Sequence, residues 1–443
     1  MPVQLGKIAQ LLAGLTREHE VVGAQLALHH RGRTLSVQAG RERHGGPPVG
    51  PDSVFPFGSV SKLVNATALV RSIALGRLGL DEPIEEHLPE LRSDRVPRIG
   101  SVTPRHLLSH TSGLPSDHSP PAGPAPSLRE YAALCRDLEP LFPPGALYSY
   151  SNVGSAVAGR LLEVVTGLDW WTAIRTAVLD PLGCASVRLV DGRDGAPVVG
   201  GHVLGPGGPV EITPSCPEYY RPAGGLAGTA RDLVAFGRLH IGAAARGDDV
   251  LDDAARTLMR EGAGDARPFG STTAAGLGSH RFDTERGPWF GHDGSIEGTH
   301  CHLRYHPDQQ VVVALATNTA HGGELWSDLV RGLGAAGLEV GPERDPAPPA
   351  APVAEPPDCL GDYLSGDMRY LVRRDHDGGI RIRAGATTLV NVTFHADHVF
   401  SATDPTGPGR PVTGRFLPDS RGERIALLEV GGRVARREPA PRA

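Results

Sequence analysis

Cysteine is scarce in this chain of 443 residues. Cys135, Cys184, Cys216, Cys301 and Cys359 are odd in number, widely scattered and without metal-ligand spacing, so neither a disulfide framework nor a zinc site is expected. No apolar run approaches the 18 residues that a spanning helix needs, which argues against a membrane protein of that kind. The opening Met-Pro-Val-Gln-Leu-Gly-Lys-Ile-Ala-Gln runs into Glu18, His19 and Glu20 without a signal-peptide core, and a cytoplasmic location is the expectation. Charge of one sign is not clustered either. A net charge of −6 without a long single-sign run leaves no electrostatic footprint for nucleic acid and no polybasic patch for a membrane surface. Lysine is sparse beside arginine, and Gly 58 and Pro 40 are high, which reads as GC-rich coding bias more than as disorder.

What is present is an ordinary soluble composition, 40% hydrophobic and 21% charged, long enough for one large domain and a smaller one. Residues 6–20 have helical spacing, and residues 22–29 and 34–39 alternate as strands around an Arg31-Gly32 hairpin signal. A helix is expected from Ser59 to Gly76, a short one over 103–110 capped by Thr103, and others over 128–138, 153–165 and 229–241. Residues 190–222 read as loop. Strands follow at 289–291, 299–305 and 311–317, then a helix at 324–333. Strands at both ends of this region and helices between them imply an α+β domain whose sheet joins distant parts of the chain. The Pro-rich stretch 341–357 reads as a semi-rigid linker. Beyond it, strand-like runs alternate with turns every 8 to 12 residues, the signature of a small antiparallel sheet or barrel. The expected domains are thus 1–340, a linker 341–357, and a small β domain 358–443.

Three stretches carry chemistry. Ser59-Val60-Ser61-Lys62 places a hydroxyl and an amine at i and i+3, on one helical face and about 5–6 Å apart at Cβ. Burial favours the neutral form of an amine, which can then draw a proton from the hydroxyl. Ser61 points away from that face. Tyr150-Ser151-Asn152 offers a phenol that nearby cations can turn into a proton shuttle, and an amide able to hold Lys62 or a substrate. Gly291-His292-Asp293-Gly294-Ser295, at the end of a strand-like run, lets a substrate backbone approach at Gly294. The Ser295 amide can then join the Ser59 amide as an oxyanion hole, with His292 assisting proton transfer or orienting the tyrosine. Each stretch alone is equally a core helix, a packed tyrosine ahead of an N-cap, or a Gly-rich turn.

Together, and in this order, they resemble the serine β-lactamase and penicillin-binding-protein superfamily, nearest its class C β-lactamase, D-aminopeptidase and esterase branch. Residues 103–114, Pro144-Gly145 and residues 223–233 match that branch as well, and the resemblance covers about residues 5–337. It implies an antiparallel sheet flanked by helices with a helical lobe, no cofactor and no metal. It implies acyl transfer through an acyl-Ser59 intermediate, with Lys62 and Tyr150 handling the proton as a coupled pair and Asn152, His292, Gly294 and Ser295 completing the site.

The substrate is narrowed by His292, which stands where family lysines bind a substrate carboxylate. The added β domain is similar in architecture to the lipocalin-like domain of penicillin-binding-protein-type thioesterases. These release peptides from carrier-protein thioesters by head-to-tail cyclisation, favouring a D-residue at the acyl terminus. The resemblance therefore implies a peptidyl or small-molecule (thio)ester or amide substrate and a carrier-protein partner, with Arg433, Arg436 or Arg437 reaching the site. A hydrolytic esterase or D-stereospecific aminopeptidase, and an amide-forming transacylase of nucleoside-antibiotic pathways, share the same residues. A penicillin-recognising sensor is disfavoured because all three motifs are intact. His29-His30 and His300-x-His302-x-x-x-His306 hint at a metal, but no carboxylate is evident beside them in sequence.

Overall fold

The structure is a computed structural model describing residues 5–96, 99–192, 197–261, 267, 269, 274–341, 351–405 and 411–439. The N-terminal hairpin forms as expected. Gly23–His30 pairs with Arg33–Gly40 through a turn in which Arg31 (φ 50°) and Gly32 (φ 76°) are both left-handed, the conformation that matches strand twist. That hairpin joins a seven-stranded antiparallel sheet in the order 33–40, 23–30, 311–317, 299–306, 287–296, 280–284 and 274–275. The central strand Val311–Thr317 reads as an unbroken apolar run because both its faces are covered. Val311, Val313 and Leu315 enter one core, and Val312 and Ala314 the other.

On one face lie the helices Leu5–Glu18 and Gly322–Ala335, anchored by Ile8, Leu12, Leu15, Trp326 and Leu329. The other face carries Val60–Ala74, Asn152–Thr166 and Ala230–His240. Twelve of the fifteen residues of Val60–Ala74 are buried, so this helix is the axis of the lobe rather than a surface stripe. The local signals at 103 and 229 hold: Thr103 and Thr229 each cap a helix, with His106 and Asp232 returning the bond.

Three expectations need correction. The strand predicted at 289–291 runs over Gly287–Ile296, so His292 to Ser295 lie inside it. Residues 190–222 are not all loop, since Gly201–Gly205 and Gly208–Ile212 form a hairpin. His280–Thr284 is an unanticipated strand, because His, Arg, Asp and Thr dilute its pattern. Of the expected linker, residues 342–350 lie outside the described residues.

Residues 361–437 form a closed barrel of eight antiparallel strands, each paired with the next and the last with the first. Tyr363, Val372, Ile382, Phe400, Phe416 and Leu428 fill its interior. An eight-stranded barrel is about wide enough inside for side chains or one small ligand. Among the described residues no helix is long and apolar enough to cross a membrane.

Candidate active site

Ser59 is the N-cap of the central helix and the sole residue between 53 and 70 that is not buried. It is delivered by a tight approach between two backbones. Gly58 is left-handed (φ 50°), and a Cβ on it would stand 2.7 Å from the Ser295 nitrogen. A Cβ on Gly294 would stand 2.0 Å from the Phe57 oxygen and 2.8 Å from the Ser59 nitrogen. Only glycine fits at either place. The close approach brings the Ser59 and Ser295 amides to one spot. Pairing with His280–Thr284 stops at Gly291, which leaves the strand edge open from His292 onward toward Ser59.

Lys62 is 3% exposed, its Nζ 3.0 Å from Ser59 Oγ and donating to the Ala223 carbonyl at 2.6 Å. The Tyr150 ring lies 4.9 Å from the same Nζ. Ser61 turns the other way, as helical geometry requires, and accepts a hydrogen bond from the Leu226 amide. The sequence-predicted Ser59, Lys62, Tyr150, His292, Gly294 and Ser295 therefore do converge.

The Nδ2 of Asn152 donates to Asp117 Oδ1 at 2.7 Å. A carboxylate can only accept, so Asp117 sets which way the amide faces and leaves the Asn152 carbonyl oxygen for the site. Nothing in the sequence marks Asp117, which sits 35 residues away in a Pro-rich loop.

The electrostatics are those of neutral imidazoles around a phenol. His110, His280 and His292 stand 4.5, 6.4 and 6.1 Å from the Tyr150 ring. Burial, then the neighbouring His280 and Lys62, hold His292 well below the usual histidine range. Its Nδ1 donates to the Asp293 carbonyl, so the uncharged ring carries its lone pair on Nε2, which has no partner among the described residues. Burial pushes His110 far down as well, and His280 to about 4. His110 is strained (φ 58°), yet it holds the tyrosine segment by its carbonyl to Ser149 and its Nδ1 to Ser151.

The barrel closes the site. The Gly431-Gly432 turn enters a cavity of about 400 Å³ beside Ser59, His280, His292 and Ser295. The Gly432 carbonyl accepts the Tyr150 amide at 2.9 Å, and the Val434 amide donates to Ser149 Oγ. A second seam joins Asp117 to Asp367 and Ser116 to Ser365. Of the three candidate arginines, Arg433 reaches the site, 5.2 Å from the Tyr150 ring. Arg436 instead binds the Pro140 carbonyl, and Arg437 the Asp358 carboxylate.

His306 bonds the Arg286 carbonyl, away from the cavity, whereas His300 and His302 line it. No carboxylate neighbours these histidines along the chain, but Asp293 of the adjacent strand lies 2.6 Å from His302.

Comparison with known proteins agrees with this picture. A family model described as Beta-lactamase matches residues 8–335. Penicillin-binding protein 4 of Amycolatopsis lactamdurans is 34% identical over 366 residues, 80% of this chain and 95% of its own length. Esterase EstB of Burkholderia gladioli is 29% identical over 69% of this chain and 88% of its own. Two solved structures of SurE, one of them with D-Leu, are 36% identical, cover 98% of this chain and 99% of theirs, and superpose with TM-scores of 0.87 and 0.85.

Proposed function

This chain belongs to the β-lactamase family, a family of serine hydrolases and acyltransferases, and we propose that it is an acyltransferase that releases a peptide from a carrier-bound thioester by forming an amide. The observation that carries the reading is the Ser59 Oγ–Lys62 Nζ distance of 3.0 Å with Tyr150 over the same amine, all facing one cavity. Ser59 attacks the acyl carbonyl, its proton passing to the Lys62–Tyr150 pair. The Ser59 and Ser295 amides receive the oxyanion in a site whose donors need no rearrangement. Tyr150 relays the proton to the leaving group, and an amine then takes the acyl group from Ser59.

Three features support transfer of a peptidyl group. His292 is uncharged, so the fixed cation that would hold a β-lactam-like carboxylate at that position is missing. Arg433 supplies a cation on another wall, from the barrel. The resemblance to SurE runs through the barrel, and a SurE structure with D-Leu supports a D-residue at the acyl terminus. The likeness to an esterase over most of its length favours hydrolysis as the second reading.

The test offers a peptidyl thioester mimic ending in a D- or an L-residue. Cyclic or amide product from the D-substrate is expected, with the acyl group on Ser59 by intact mass and none on Ser59→Ala. Free acid as the only product would favour the hydrolase.

A further inference from the structure

The short helix Pro104–Leu108 ends in a left-handed turn. The His110 amide donates to the Leu107 carbonyl at 3.4 Å and the Thr111 amide to the His106 carbonyl at 2.9 Å. That pair of bonds closes a helix when the residue just past its end is left-handed. His110 is that residue, at φ 58°. Glycine or asparagine normally stands there, because a Cβ is crowded in this conformation. A histidine that is strained and only 5% exposed needs a reason in its side chain.

The reason is the stretch Ser149-Tyr150-Ser151, which is bonded from both sides. The Ser149 amide donates to the His110 carbonyl at 2.8 Å, and the Ser151 amide to His110 Nδ1 at 3.2 Å. Between them the Tyr150 amide goes the other way, to the Gly432 carbonyl of the barrel at 2.9 Å, where the Val434 amide also holds Ser149 Oγ at 3.0 Å. An amide N–H only donates, so Nδ1 keeps its lone pair and the neutral ring carries its proton on Nε2. Burial, then Lys62, His280 and Arg433, hold His110 well below the usual histidine range and keep it so. The same ring packs on the Tyr150 ring with centroids 4.5 Å apart. Lys62 Nζ at 4.9 Å and Arg433 at 5.2 Å bound that ring as well.

We propose that His110 is the positioning residue of Tyr150, its Nδ1 and its ring fixing where the phenol stands against Lys62 and so the rate at which Ser59 is acylated. This rests on the reading of Tyr150 as a carrier of the Ser59 proton. The barrel turn supplies the opposite edge, so both domains locate the phenol. The strained turn is kept because neither glycine nor alanine offers an acceptor to Ser151 or a face to Tyr150.

Two substitutions separate this role from backbone effects. His110→Gly removes the side chain and relieves the turn. His110→Asn also suits the left-handed turn and keeps an acceptor, Oδ1, the same number of bonds from the backbone as Nδ1. Acylation by p-nitrophenyl acetate in stopped flow gives a rate constant and a half-saturation concentration. His110→Gly should lower the rate constant by about a hundredfold, the cost of misplacing a reacting group by about 1 Å, and leave half-saturation within about threefold. His110→Asn should recover most of that loss. In a Tyr150→Phe background His110→Gly should cost less than about threefold, since no phenolic proton remains to be placed. The same loss of about a hundredfold in that background would overturn the proposal, because it marks a merely structural role. A His110→Gly rate within about threefold of wild type would overturn it too, as would His110→Asn acylating no faster than His110→Gly. Tyr150→Phe acylating as fast as wild type would instead refute the reading of Tyr150 beneath it.

Discussion

Replacing Gly294 by alanine isolates the close approach on which the site depends. The backbone of Gly294 is not in the left-handed region, so alanine meets no conformational penalty, and the effect is purely one of space. The added methyl would stand 2.0 Å from the Phe57 oxygen and 2.8 Å from the Ser59 nitrogen. Both are backbone atoms, with no flexible side chain to yield. Ordinary contact requires separation of the strand from the Ser59 turn by about 1 Å or more. A misplacement of that size costs on the order of a hundredfold in rate, and losing one oxyanion donor about 2.7–4 kcal/mol, or 10²–10³-fold. Forcing a methyl into a packed site also destabilises by about 1–3 kcal/mol. Acylation of Gly294→Ala by an activated ester should therefore fall by about two to three decades in stopped flow, while thermal unfolding shows the protein still folded. Acylation within threefold of wild type would refute the reasoning, because it would mean that the Ser59 and Ser295 amides do not act together.

Arg433→Ala should lower kcat/KM by about 10- to 100-fold through loss of a charge-assisted contact, with Arg433→Lys intermediate; equal activity of all three would remove Arg433 from the site. Gly366 is left-handed (φ 63°) and a Cβ on it would stand 1.8 Å from the Asp117 oxygen, so Gly366→Ala should open the second barrel seam and lower kcat. Unchanged kcat would show that the barrel does not position Tyr150 and Asn152. Burial holds His240 near 3, and His280 and His300 near 4, against about 6.5 unfolded. The unfolded chain thus binds more protons as pH falls below 6.5, and stability present above that pH is lost on acidification, by up to about 1.4 kcal/mol per unit for each imidazole. Urea unfolding between pH 6.5 and 5 should show this slope, and a flat profile would contradict it. Lys62 is one of two lysines in the chain, the other being Lys7, and it is buried. Amine methylation followed by digestion should therefore modify Lys7 and spare Lys62 in the folded protein; equal modification of both would contradict this burial.

The order of motifs in the sequence settled a good deal. Ser59 and Lys62 share a face because a helix repeats every 3.6 residues, and Ser61 does not, for the same reason. The hairpin at Arg31-Gly32, the caps at Thr103 and Thr229 and the strands after Trp289 are likewise local, set by residues within a few positions of one another. A barrel after the Pro-rich stretch was legible from turn spacing, although its first and last strands were not. Gly361–Ser365 and Arg433–Arg437 carry too few apolar residues to show a period, and they become strands by pairing with their neighbours and with each other. What the tertiary structure alone decided are the contacts made across long stretches of chain. Asp117 turns the Asn152 amide, Arg433 rather than Arg436 or Arg437 enters the cavity, and Asp293 meets His302 across a strand pair. Periodicity reports which face a residue takes on its own element, but not which distant element packs against that face. At this site that packing decides where the serine's partners stand.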